Sequence, residues 1–186
     1  MVVKNIIRTV AEYLDLKDVL KYLDNKIEEN EEMLDDINSL LLAVNMTNNT
    51  IAASYLELTS IKKVDVTDEI VEYNEISDKS IIEIKRIQTL GGSKINFKIL
   101  PEGLKVYHYG ICEIEYTYFP EKVGLDNEIN HYLKLNELTF AMGVASEYLY
   151  IKGSIDDAYM WDKKFKNSMF NLLRPKRNIV MPARRW

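Results

Sequence analysis

Residues 111–119, ICEIEYTYF, decide the fold of this chain. Their alternation puts Ile111, Glu113, Glu115 and Thr117 on one face and Cys112, Ile114, Tyr116 and Tyr118 on the other, the period of a half-buried strand. The second face is assigned to a core. Working back from it, VDVTDEIVEY (64–73), IIEIKRIQTL (81–90), KINFKIL (94–100) and LKVYHY (104–109) are likewise rich in β-branched and aromatic residues. Gly91, Gly92 and Ser93 mark one hairpin turn, and Pro101, Glu102 and Gly103 another. The region therefore reads as about four or five short antiparallel strands.

On both sides of this region the apolar period changes to that of a helix. Upstream, Ile6, Ile7, Val10 and Leu14 share one face of a first helix. Asp15 and Asp18 stand as N-cap and N3 of a short second helix, whose apolar side is Leu16, Val19, Leu20 and Leu23. A long third helix carries Leu34, Ile37, Leu41, Val44, Asn48, Ile51 and Tyr55 along one stripe, where Asn48 requires a buried partner or a gap. Downstream of the loop EKVGLDNEIN, Leu135, Leu138, Met142, Ala145 and Leu149 recur at helical spacing as far as Gly153, a residue suited to a left-handed helix end. Ser154 and Asp157 form a capping-box-like start for a last helix buried through Trp161, Phe165, Met169 and Leu172. Small residues Ala141, Gly143, Ala145 and Ser146 allow a neighbouring helix to approach closely.

The expected fold class is α+β. N-terminal helices (1–58) and a C-terminal helical hairpin (123–173) form one helical core, an antiparallel β lobe (59–122) is inserted between them, and a basic arm (174–186) follows.

Composition excludes several classes. At 186 residues with ordinary apolar content, the chain is long enough for one domain with a real core. It has no run of about 18 uncharged apolar residues to span a bilayer, and Arg8 and Glu12 interrupt the N-terminal stretch before it could serve as a signal-peptide core. A soluble protein without membrane contact is expected. The single cysteine, Cys112, cannot form an internal disulfide and reads as a small buried hydrophobe.

Catalytic and metal-binding motifs are scarce. His108 and His131 are the two histidines, and neither has Cys, Asp or Glu at zinc-motif spacing. A thiolate nucleophile needs an electropositive, accessible setting, whereas Cys112 lies on the core face beside Glu113. Gly91 and Gly92 precede a strand, not a helix, so they lack the phosphate-cradling geometry of a glycine-rich loop. No cofactor, metal or catalytic residue is assigned.

The tail RPKRNIVMPARRW carries Arg174, Lys176, Arg177, Arg184 and Arg185 with no acid, so within a chain of net charge −5 the body carries −10. Pro175 and Pro182 forbid a continuous helix through it. Ile179, Val180, Met181 and Trp186 supply apolar anchors, and the segment reads as an extended docking arm. The acids Glu28, Glu29, Glu31, Glu32, Asp35 and Asp36 gather at the start of the third helix, where the helix dipole favours negative charge. They read as a solvated helix start or as an inter-subunit contact for a basic arm. With Gly143 and Ser146 of the last hairpin they make the candidate subunit interface.

The order of these parts resembles the head-to-tail connector, or adaptor, proteins of tailed bacteriophages. The resemblance is carried by Ala145, Glu147, Tyr148, Gly153, Ala158, Trp161, Asp162, Lys163 and Phe165, and by the Arg184, Arg185, Trp186 ending. It covers the last third of the chain well and the rest only through the order of elements. It implies a virion component made in the host cytoplasm: an oligomeric ring, typically dodecameric, below the portal protein of the head. Such a ring extends the DNA channel, with transient contact to passing DNA, and offers a platform to the next tail component. The C-terminal arm, Arg174 to Trp186, would reach the portal, and an acidic wall would not retain phosphate. Two rival readings stand beside it: a nucleic-acid-binding module using the same tail, and an enzyme with His108 or His131 beside Glu113 or Glu115.

Overall fold

The middle of the molecule is a helix enclosed by other helices. In the computed structural model, which describes residues 1–26 and 30–174, α5 (Glu137–Ile151) packs against α1 (Val3–Tyr13), α3 (Glu31–Ser54) and α6 (Ile155–Leu173). It is accordingly buried almost all round: Phe140, Ala141, Val144 and Ala145 have no exposed surface. This explains the one departure from its expected stripe. Leu138 is exposed, because a helix surrounded by neighbours has no single apolar face for spacing to identify.

The α1 face is as expected, with Ile6, Ile7 and Val10 fully buried. Asp15 does not cap α2 (Lys17–Leu23). It adopts φ +54 in the turn after α1, the N-cap position falls to Leu16, and that cap makes no side-chain hydrogen bond. Asp15 answers the demand for a left-handed residue, which short polar side chains tolerate. In α3 the cap is Asn30, whose side chain accepts from the Met33 backbone amide at 2.8 Å, a contact worth about 1 kcal/mol. Asn136 caps α5 in the same way through Thr139 at 2.7 Å. Gly153 has φ +82 at the end of α5. Ser154 is the N-cap residue of α6 but makes no side-chain bond, so no capping box forms with Asp157.

The β lobe has six strands, more than expected, in two three-stranded antiparallel sheets. The first has the order β1 (Thr59–Val66), β6 (Gly110–Tyr118), β3 (Ile81–Thr89), and the second β2 (Ile70–Glu72), β5 (Gly103–Val106), β4 (Phe97–Ile99). Residues 64–73 do not form one strand: the polar Thr67 and Asp68 break it into the end of β1 and a separate β2, followed by the short helix α4 (Tyr73–Ile76). The Gly91–Gly92 turn exists, with the Gly92 amide donating to Thr89 O at 2.9 Å, and the returning chain pairs briefly with β3 through the Gln88–Lys94 bridge before it joins the other sheet. At Pro101–Glu102 a tight hairpin joins β4 to β5. Gly103 is obligatory there, since a Cβ would lie 2.4 Å from Val71 O.

Strand β6 presents Cys112, Ile114 and Tyr116 inward as its alternation requires. Thr117 breaks the pattern, being 1% exposed, with its hydroxyl 3.4 Å from Glu83 O. The lobe has its own apolar cluster, in which Ile87, Leu104, Cys112 and Ile114 are fully buried, distinct from the helical core. Tyr118 packs against both clusters and marks the seam between them.

Candidate functional site

Of the proposed docking arm, Arg174 is described: it is the C-cap of α6, exposed, with extended backbone. Lys176, Arg177, Ile179, Val180, Met181, Arg184, Arg185 and Trp186 lie outside the described residues, as do Glu28 and Glu29. Glu31 and Glu32 occupy the first turn of α3 and are exposed.

The last two acids of that cluster have a partner within the chain. Lys152, at the C-terminal end of α5, reaches both Asp35 and Asp36, the latter at 2.9 Å, and the Tyr148 hydroxyl donates to Asp36 at 2.9 Å. Hydrogen bonds to Asp35 and then Asp36 push the lysine well above its usual range. Burial first, and then Asp36, pushes the Tyr148 phenol up as well. Lys152 therefore stays cationic and locks the N-terminal part of α3 to the end of α5. Sequence reading missed this lock because its partners stand far apart in the chain. The signal lay in one lysine at a helix C-terminus, where cations are favoured.

Gly143 and Ser146 do not lie on a surface. A Cβ on Gly143 would come 2.7 Å from Thr47 Cγ2 and 3.1 Å from the Phe165 ring, and the Ser146 hydroxyl donates to Ala158 O at 2.9 Å. Both residues serve the packing of α5 between α3 and α6, which withdraws them from the candidate subunit interface. The close helix approach read from the small residues is present, but within the chain.

Two clefts of about 310 and 430 Å³ flank the seam between core and lobe, and both are lined by Leu58 and His131. His131 Nε2 lies 3.2 Å from Asn48 Oδ1, and its ring meets Tyr132 edge-on at 4.3 Å. Asn48, expected to need a partner, thus has one for its oxygen, while its Nδ2 has none among the described residues. Desolvation, reinforced by Lys79 and the N-terminal amine, holds the imidazole below its ordinary value. No carboxylate hydrogen-bonds to it among the described contacts.

The other histidine, His108, lines a separate cleft of about 320 Å³ in the lobe with Glu69, Lys105, Tyr107 and Tyr109. Cys112 is fully buried, and burial together with Asp65 pushes its thiol up, away from nucleophilic form. Glu113 and Glu115 face out of the sheet, where Glu115 meets Arg86 at 2.8 Å and Glu113 accepts from Gln88 at 2.9 Å. Among the described residues no group of three His, Cys, Asp or Glu side chains could hold a metal ion, and no helix is long and apolar enough to cross a membrane.

Part of the described surface is apolar. Helix α6 buries Ala158, Phe165 and Met169 and leaves Ile155, Tyr159, Met160 and Phe170 more than half exposed. This helix ends at Leu173, where the basic segment begins. No family model matches the chain, and no curated protein matches it.

Proposed function

We propose that this chain is a structural, non-enzymatic subunit of an oligomeric ring in the neck of a tailed-phage particle, joining the portal of the head to the tail and extending the DNA channel. The observation that carries this reading is α6: a long helix with a thin buried stripe, four large apolar side chains more than half exposed among charged ones, and a basic segment directly after it in sequence. Large exposed apolar surface marks a protein contact. The partners are copies of the chain, the portal protein reached by the arm, and the next tail component. Contact with the genome is transient, since a body of net negative charge repels phosphate. A dodecamer assembled in the host cytoplasm is the expected form.

The test is particle mass by native mass spectrometry and light scattering, for the full chain and for a chain ending at Leu173. A large closed oligomer supports the ring. The competing assignment, a nucleic-acid-binding module, rests on the five basic tail residues without an acid. A full-length monomer that binds DNA with a steep salt slope, lost on removing the tail, would replace the ring reading with that one.

A further inference from the structure

The exposed surface of α3 has an unusual composition for a chain in which 28% of residues are charged. From Ile37 to Leu56 there is no charged residue at all. Asn38, Leu42, Met46, Asn49 and Ala53 recur every three or four positions and are all exposed, with Leu42 at 52% and Met46 at 39%. A solvated helix face normally carries charge, whereas depletion of charge marks the centre of a protein contact. The stripe is continued at its N-terminal end by acids: Glu31 and Asp35 lie in line with it, and Glu32 stands beside it.

Helix α6 carries a matching stripe of the opposite charge sense. Met160, Lys163, Asn167, Phe170 and Arg174 are exposed along one line, on the side of the helix turned away from the buried Phe165 and Met169. Its last turn holds no basic residue, but its C-cap is Arg174, and Lys176 and Arg177 follow in sequence. Both stripes point outward from the protomer, because the inward sides of α3 and α6 meet each other and α5 around Gly143. One copy therefore cannot join its own two stripes.

We propose that the outward stripe of α3 receives the outward stripe of α6 from a second copy of this chain, with the two helices antiparallel. This deepens the ring reading above and rests on it. Antiparallel docking sets Phe170 and Met160 against Leu42 and Met46, and it brings Arg174 to Glu31 and Glu32. The contact is heterologous: each copy gives one face and receives another, so association propagates until it closes.

The experiment compares the masses of the full-length wild type, the double variant Leu42→Lys/Met46→Lys and the variant Phe170→Glu. All three positions are solvent-exposed, and far-UV circular dichroism checks that each variant is folded. A lysine set against Lys163, or a carboxylate in place of the Phe170 ring, weakens association by on the order of 100-fold, so each variant alone is expected to be a monomer. Mixed one to one, the two variants retain one intact face each and should form heterodimers and nothing larger. Arg174→Glu, at an exposed helix end, should weaken the wild-type oligomer and make it less salt-sensitive. An oligomer that persists in both apolar variants overturns this interface and leaves the ring standing on other contacts. A wild type that stays monomeric at about 100 μM, a concentration that would populate any contact of micromolar affinity, also overturns the interface. The ring reading then depends on the DNA-binding comparison given above.

Discussion

Replacing Gly143 by Ala adds one methyl group where three helices converge, and the structure fixes what it meets. The new Cβ would lie 2.7 Å from Thr47 Cγ2 and 3.1 and 3.2 Å from two atoms of the Phe165 ring. Thr47 is 1% exposed and stiff at χ1, and Phe165 is 4% exposed, so neither can swing into solvent. Overpacking of this kind costs about 3 kcal/mol at its upper range, and the better helix propensity of Ala returns about 1 kcal/mol. The net loss is about 2 kcal/mol, which for a chain of this size lowers Tm by about 4–8 °C. Urea unfolding followed by circular dichroism at 222 nm measures it. Thr47→Ser removes the nearest methyl, so the double variant should cost about 1 kcal/mol less than the two single losses together. A Gly143→Ala protein as stable as wild type, or more so, would refute the close approach of α3, α5 and α6 and leave only the helix-propensity gain.

Asn45 accepts from the Val123 amide at 2.8 Å and donates to Val123 O and Leu41 O at 3.0 and 2.9 Å, so Asn45→Ala should cost about 2 kcal/mol in the same denaturation assay. Glu147 lies beside a small crevice with Thr47 and Phe165, and burial followed by Asp162 raises its carboxyl. The folded state then holds that proton more tightly than the unfolded one, so stability falls as pH rises through the carboxylate range; Glu147→Gln should flatten this fall and stabilise the protein at neutral pH by up to about 1 kcal/mol. His131 has the opposite sign: its folded value is lowered, so the unfolded state binds the proton first and stability declines as pH drops below the ordinary histidine value of 6.5. Thermal melts of wild type and His131→Gln between neutral pH and pH 5 should converge at the neutral end and part at the acidic one.

Much of the architecture was legible because its signals are local. The alternation of 111–119 and the stripes of α1 and α3 each need only a window of neighbours to declare themselves. The two short strands β2 and β4 span three residues each, too few for a period, so the division of the lobe into two sheets was invisible. The α5 stripe misled at Leu138 because burial on all sides erases periodicity. Gly143 and Ser146 were correctly read as sites of close approach, yet small size does not say whether the neighbour belongs to the same chain. The charge-free run of α3 was in plain view in the sequence. Its meaning required knowing that Leu42 and Met46 face outward, which only the packing reveals.

The seam of the lobe has a consequence for how the chain reaches its folded state. Strands β1 and β6 are neighbours in register from Thr59–Thr117 to Val66–Gly110, and the Tyr118 amide donates to Leu58 O at 3.1 Å. The polypeptide thus leaves the helical core and re-enters it at one doorway. Until that doorway forms, α3 must find α5 across a loop of roughly eighty residues; once it has formed, the effective loop shrinks to roughly twenty, and closing it costs about 1 kcal/mol less. The lobe is then a zipper for the helices: its early assembly hastens theirs, and a substitution that loosens β1 from β6 should slow core formation without touching a helical residue.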